Sequence, residues 1–222
     1  MALREFFWRV SDFMKVANPA PFNIIASRDG KLYEVRDHML GRLVTHKKHV
    51  RELEDVQPGF KFRMPKIPGE LLATSLSFFR AYCNEWEENE VMVQIYWDKL
   101  TKRYFLECPN QLVNKERIKV RSYSDRLLHN QRFVQIMHIH SHNSMDAYFS
   151  RIDNEDEKAF MLYAVVGRLN FHEPDMLLRV GCNGEFISLP VSYIFDSPVL
   201  TPTSATYPAE WDDRVHVVDH IE

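Results

Sequence analysis

Residues 137–153 read MHIHSHNSMDAYFSRID and hold three histidines at alternate positions. Side chains two residues apart on a β-strand point to the same face, so we expect His138, His140 and His142 to project together. The run RFVQIMHIH is apolar enough for a central strand, and its histidines would lie at one end of that strand. A rigid sheet holds converging ligands well, so this stretch predicts a metal site and a sheet around it.

A third ligand is expected from the chain that follows the histidines. Asp153 lies eleven residues after His142, which is enough chain for a loop to turn back. Two histidines, one carboxylate and an open position suit catalytic zinc, and the same set suits non-haem iron. Ser150, three residues before Asp153, has the spacing of an ordinary helix cap as well. His138 is interpreted as a buried or supporting residue, because a fourth protein ligand would close the site.

Three zones can be separated along the chain of 222 residues. Residues 1–65 form a small β-containing N-terminal segment, in which FNIIASRDGKLYEV predicts a hairpin. The stretch KFRMPKIPGE reads as a linker into the main domain, residues 66–195. Residues 196–222 are rich in Pro, Ser and Thr and predict a loosely attached tail.

The main domain mixes helical and strand patterns. In ELLATSLSFFRAYC, apolar residues recur at helical spacing, which predicts an amphipathic helix. EVMVQIYWDKLTKRYFLECP predicts two strands joined by a polar turn, and NEDEKAF is a short helix-prone piece. Further strands are predicted at RIKVRSY, RFVQIMHIH, MLYAVVG, MLLRVGC and EFISLP. This order predicts an α+β fold with a mixed central β-sheet flanked by helices.

Composition excludes several classes of function. The formal net charge is -3, so no strong basic field attracts nucleic acid, and none is expected as a partner. The cysteines are three, widely spaced and without a CxxC pair, which is typical of a reduced, cytoplasmic protein. Charged residues interrupt the apolar N-terminus, which predicts neither a signal peptide nor a membrane span.

The string His140-Ser141-His142, then Ser150 and Asp153, resembles the JAMM motif of the JAB/MPN/Mov34 metallopeptidases. The stretch IHSHNSMDAYFSRIDNEDE is most similar to the bacterial branch of this family, and the resemblance covers about residues 68–195. It implies a zinc peptidase or isopeptidase with a JAB/MPN-like sheet flanked by helices. It also implies that His140, His142 and Asp153 bind Zn²⁺, and that Ser150 stabilises the transition state.

The resemblance further implies a glutamate base shortly before the first main strand. That junction is CNEWEENEVMVQIYW, where Glu90 fits best and Glu87 or Glu88 is the alternative. This strand contains no glycine, unlike the usual pattern of the family.

The implied substrate is an amide, often at the C-terminal tail of a ubiquitin-like protein or its conjugate. Two alternatives stay open from the sequence. One is a non-peptidase enzyme that uses the same ligands for iron, and the other is a non-catalytic scaffold of MPN type.

Overall fold

The structure is a computed structural model that describes residues 4–84, 86, 88–128, 130–198, 200 and 205–221. The chain divides into two compact units, Met1–Pro58 and Gly59–Glu222. The sequence placed this division at 65/66, a few residues later. All of the predicted site residues that the structure describes belong to the second unit.

The first unit is built around a small sheet in the order β1-β2-β3-β4. β1 runs parallel to β2, and the remaining neighbours are antiparallel. The predicted hairpin is confirmed as β2 and β3, joined by a turn in which Gly30 has a φ of 75°. Phe13, Ile25 and Val35 are buried together. The described elements of this unit are β1 (Arg4–Phe7), α1 (Val10–Phe13), β2 (Phe22–Ala26), β3 (Leu32–His38) and β4 (Gly41–Lys47).

The second unit is mostly strand, with helices placed between the strands. Its first described elements are α2 (Gly69–Ala81), β5 (Met92–Asp98), β6 (Arg103–Glu107), β7 (Asn110–Val113), β8 (Ile118–Ser122), α3 (Asp125–Leu128) and β9 (Phe133–Ser141). The later ones are α4 (Arg151–Asp156), β10 (Met161–Gly167), β11 (Asp175–Cys182), β12 (Glu185–Ser188), α5 (Val191–Ile194), a 3₁₀ helix (Ala209–Arg214) and β13 (Val215–Val217).

The main sheet has the order β12-β11-β10-β9-β5-β6. β9 and β10 are parallel, whereas the other neighbours are antiparallel, so the sheet is mixed. β9 lies in the interior of the sheet, as its apolar sequence predicted. The expectation of a mixed central sheet with helices is therefore confirmed at this level of detail.

The predicted amphipathic helix is α2. Leu72, Leu76 and Phe79 are buried in the main core, as their spacing predicted. The helix ends at Ala81, so Cys83 lies just beyond it. Among the described residues, no helix has both the length and the apolar character needed to cross a membrane.

The stretch predicted as a linker belongs to the second unit. Ile67 is fully buried, and its N–H donates to the carbonyl of Ile194 at 2.9 Å. Phe60 and Phe62 pack against the same core. Burial of these apolar side chains stabilises the packed state, and this outweighs the tendency of two prolines and a glycine to form a linker. The segment therefore packs against the domain.

The C-terminal segment also differs from the loosely attached tail expected from its composition. Trp211 is buried and its ring packs edge-on against Phe78 at 5.1 Å. β13 pairs in parallel with β7. The aromatic residues of this segment, rather than its Pro, Ser and Thr content, decide its position, because large rings contribute the most buried apolar area.

Candidate metal centre

Two imidazoles converge at the end of β9. The ladder holds His140 between Met92 of β5 and Val165 of β10. The backbone N–H of His142 donates to the carbonyl of Val166 at 2.7 Å, which continues the ladder beyond the strand. Both side chains are buried, and their Nε2 atoms lie 3.2 Å apart. The alternation of histidines along the strand thus produces the convergence that the sequence predicted.

Asp153 is oriented by the start of α4. Ser150 is the N-cap, and its Oγ accepts the N–H of Asp153 at 3.1 Å. In return, the Ser150 N–H donates to Asp153 Oδ2 at 2.6 Å, which completes a capping box. Asp153 Oδ1 is then left 3.4 Å from His140 Nε2. Ser150 is therefore a helix cap, and its hydroxyl proton is not used by this bond, so its predicted role towards the substrate stays a prediction.

His140, His142 and Asp153 form a group that could hold a metal ion. One ligand atom from each lies within 4.8 Å of the others. In a tetrahedral zinc site with bonds of about 2.0–2.1 Å, the ligand atoms lie roughly 3.3 Å apart. The two separations that involve His140 Nε2, 3.2 and 3.4 Å, match that value. The donor set and its spacing therefore fit Zn²⁺.

The histidines also have the protonation state that a metal requires. Burial lowers the pKa of His140 to about 4 and also lowers the pKa of His142. The negative charge of Asp153 raises both pKa values, but burial has the larger effect. Near neutral pH both rings are therefore uncharged and keep a free lone pair. A cation can bind them without first displacing a proton.

Glu90 is the carboxylate beside this group. Its N–H donates to the carbonyl of Asn114 at 2.9 Å, which fixes the backbone just before β5. Its Oε1 lies 3.8 Å from His142 Nε2, and the side chain is buried. Burial raises the pKa of Glu90 to about 8, with further contributions from the negative charges of Asp153 and Glu116. A carboxyl group with a pKa near neutrality can both accept and return a proton.

The two alternative glutamates are in different situations. Glu88 forms an ion pair with Lys115 at 2.6 Å and accepts a hydrogen bond from the Ser144 hydroxyl. These contacts lower the pKa of Glu88 and leave it a poor proton acceptor at neutral pH. Glu87 lies outside the described residues. Of the glutamates that the structure describes at this junction, Glu90 has the position and the environment of a base.

Ser141 has a role that the sequence did not reveal. Its Oγ accepts the N–H of Val91 at 2.9 Å, and its own N–H donates to the Val91 carbonyl at 3.0 Å. Because Val91 directly follows Glu90, Ser141 connects the base candidate to the end of β9, between His140 and His142.

His138 lies outside the ligand group that the described residues form. Its Nε2 is 2.5 Å from Gln135 Nε2 and 3.4 Å from Gln94 Nε2. Its ring also packs edge-on against Tyr163 at 5.8 Å. His138 is thus engaged by neighbouring side chains, as expected for a supporting residue.

The loop that joins His142 to Ser150 depends on Gly167. A Cβ at this position would lie 2.3 Å from the carbonyl oxygen of Met145 and 2.4 Å from the nitrogen of Ala147. The same loop is held by the N–H of Arg168, which donates to the Met145 carbonyl at 2.6 Å. The absence of a side chain at Gly167 therefore lets the loop approach β10 and bring Asp153 back to the histidines.

Gly167→Ala is expected to displace this loop. Overpacking of this kind costs about 1–3 kcal/mol, so the urea midpoint of the metal-free variant should fall, and its zinc dissociation constant should rise severalfold. Gly59→Ala is the control, because a Cβ there meets nothing within 4 Å. Equal stability and equal zinc affinity of the two variants would contradict the close approach.

No protein-family model matches this chain, and a search of curated proteins finds no match. The resemblance to the JAMM motif therefore rests on the residues of the sequence themselves. Glu90, which lies 50 residues before His140 in the sequence, comes together with His140, His142 and Asp153 at one end of β9, and Ser150 caps the helix that carries Asp153.

Proposed function

We propose that the chain is a zinc-dependent amide hydrolase of JAMM type, with a JAB/MPN-like catalytic domain in its second unit. The observation that supports this most strongly is the position of Glu90. Its buried carboxylate lies 3.8 Å from a ligand atom of the His140, His142 and Asp153 group. A metal that only stabilises the fold needs no such neighbour, whereas hydrolysis needs a base close to the attacking water.

His140, His142 and Asp153 would hold the ion. When bound, zinc lowers the pKa of a coordinated water to about 7 and polarises the scissile carbonyl. Three protein ligands leave a coordination position for solvent, which a catalytic site requires and a structural site lacks.

Glu90 takes the proton of the attacking water and later delivers it to the leaving amine. Its buried position favours this exchange, because a carboxylate with its ordinary pKa would hold protons too weakly at neutral pH. Beside a bound cation, Glu90 would be held more in its ionised, proton-accepting form than burial alone allows.

The hydroxyl of Ser150 donates a hydrogen bond to the carbonyl oxygen of the substrate, which becomes negative during the reaction. The capping bond occupies the oxygen of this hydroxyl as an acceptor and leaves its proton available. Donors of this kind contribute roughly 3 kcal/mol to the lowering of the barrier. Ser150 would therefore serve both the helix and the reaction.

The proposed substrate is the C-terminal tail of a ubiquitin-like protein, cleaved at a peptide or isopeptide bond. This follows from the resemblance to the family and from no feature of these residues alone. An extended tail of this type would bind along a strand edge through main-chain hydrogen bonds.

Iron chemistry is the second candidate, because the same ligand set is that of non-haem iron(II) oxygenases. Its distinguishing property is independence from Glu90, since activation of oxygen needs no carboxylate base beside the water. A non-catalytic MPN-type scaffold is less consistent with these residues, because a scaffold has no need of the complete ligand string.

The test is cleavage of ubiquitin-like fusion proteins by the purified chain, with its metal content measured in parallel. We expect one zinc ion per chain, loss of cleavage with a chelator, and recovery when zinc is added back. Purification with iron, with oxygen uptake that Glu90→Gln leaves unchanged, would favour the second candidate. Failure to bind zinc at saturating concentration would contradict the proposal.

A further inference from the structure

Helix α4 carries Asp153 but has little apolar surface of its own to hold it. All six of its residues are described, and none of their side chains is buried. Isolated helices of this length are marginal in water, so the position of α4 must depend on contacts from elsewhere. A ligand on such a helix is placed only as accurately as those contacts allow.

Arg179 of β11 supplies these contacts. Its Nη1 donates to Asn154 Oδ1 at 2.6 Å, and its Nε donates to Glu157 Oε2 at 2.8 Å. Its guanidinium also lies over two aromatic rings, 3.7 Å from the centroid of Phe149 and 3.6 Å from that of Phe186. Arg179 is buried, with only 6% of its surface exposed.

The partners of Arg179 are spread over the whole helix. Phe149 directly precedes the N-cap Ser150, Asn154 directly follows Asp153, and Glu157 is the C-cap. A planar cation held at three such points determines both the translation and the rotation of α4 over the sheet. The two ends of the helix are therefore fixed by one side chain.

The backbone of Arg179 is connected through the sheet to the strand that carries His140. Arg179 pairs with Tyr163 of β10, and Tyr163 pairs with His138 of β9, two residues before His140. The distance between Asp153 and the two imidazoles is thus fixed through the backbone pairing of three neighbouring strands, β11, β10 and β9. Ladders of this kind hold a spacing well because each backbone bond restrains the next.

We propose that Arg179 is a positioning residue that sets the affinity of the site for zinc by placing Asp153 against His140 and His142. This rests on the proposed function, because it assumes that these three residues bind the ion. Stability alone is a weak reason for the arrangement, since buried ion pairs contribute little net stability. The planar guanidinium and the two rings stacked on it instead fix the position and orientation of the helix that carries Asp153.

The experiment measures zinc dissociation constants of the full chain by competition with a chromophoric chelator. Substituting residues that support metal ligands typically weakens binding about 10–100-fold, and we expect this for Arg179→Met. Arg179→Lys keeps the charge but loses the planar fork, so it should also bind zinc about 10-fold more weakly. The control is Arg214→Met, which should stay within twofold of wild type, because Arg214 bonds Glu107 of β6 at 2.6 Å and the carbonyl of Cys108 at 2.8 Å, and neither is a member of the ligand group.

A spectroscopic reading separates positioning from general destabilisation. Cobalt(II) in the site of Arg179→Met should show altered d–d absorption, whereas the spectrum of Arg214→Met should be that of wild type. If Arg179→Met does not fold, Phe149→Leu and Asn154→Ala each remove one contact at a partly or fully exposed position. We then expect severalfold weaker zinc binding in both.

Two negative results have different meanings. The positioning role would be overturned, and the proposed function left intact, if a folded Arg179→Met had the zinc affinity and cobalt spectrum of wild type. The same result in both Phe149→Leu and Asn154→Ala would have the same meaning. No zinc binding by the wild-type chain would overturn the proposed function, and with it this inference.

Discussion

Replacing Glu90 with glutamine is expected to abolish nearly all amide hydrolysis while zinc binding is retained. Glutamine has the same shape but cannot take up a proton, and a general base typically contributes about 10²–10⁴-fold. The turnover number should fall by at least that factor, and the zinc content measured by elemental analysis should stay at that of wild type. Glu88→Gln is the matched control, because Glu88 pairs with Lys115 and should change turnover only slightly.

A second reading of Glu90→Gln needs no substrate. Burial raises the pKa of Glu90 to about 8, whereas in the unfolded chain it has the ordinary value of 4.5. Between these values the folded state holds a proton that the unfolded state has lost, so this group lowers the stability of the metal-free protein as pH rises. The stability of the metal-free variant relative to wild type should therefore increase from pH 4.5 to pH 8. A difference that is independent of pH would contradict the raised pKa of Glu90, and full turnover of the variant would remove Glu90 from the mechanism.

His140→Ala is expected to lose both zinc and activity. His140 is the middle member of the ligand group, with its Nε2 at 3.2 Å from His142 and 3.4 Å from Asp153. Removing it leaves two ligands, so the loss of zinc affinity should exceed the 10–100-fold that is typical of supporting residues. Zinc titration and the cleavage assay measure the two effects separately.

The control for His140→Ala lies two residues earlier on the same strand. His138→Gln keeps a polar side chain beside Gln135 and Gln94 and removes no member of the ligand group. It should bind zinc as wild type does. Equal loss of zinc in both variants would indicate that disruption of β9, rather than loss of a ligand, is responsible.

The convergence of His140 and His142 could be predicted because it depends on local geometry alone. Any strand presents alternate residues on one face, whatever surrounds it. The helix α2 and the pairing of β5 with β6 were predictable for the same reason, since their periodicities belong to the backbone. These features needed no knowledge of distant residues.

The third ligand needed more than a local pattern. The capping spacing of Ser150 and Asp153 predicts a helix start, but not where that start lies relative to β9. The return of the loop depends on the missing side chain of Gly167, which lies on another strand. The motif resemblance indicated Asp153, and the fold supplies the reason it arrives there.

Composition misjudged the two ends of the main domain. Prolines and small polar residues suggested a linker before it and a loose segment after it, yet Ile67 and Trp211 are buried in its core. One or two large apolar side chains decide whether such a segment packs, and their partners are distant in sequence. The average composition of a segment does not show whether one of its large apolar side chains will be buried.

By itself, the sequence determined a strand whose end presents two histidines on one face and a helix start with a carboxylate at its third position. Only the tertiary structure decided that Arg179 holds that helix and that Ser141 ties Glu90 to the histidines. The Ser141 contact joins residues 50 positions apart, and the Arg179 contact with Asn154 joins residues 25 apart. Periodicity reports which way a side chain points from its own backbone, whereas a contact between distant segments forms only when burial of the whole core brings them together.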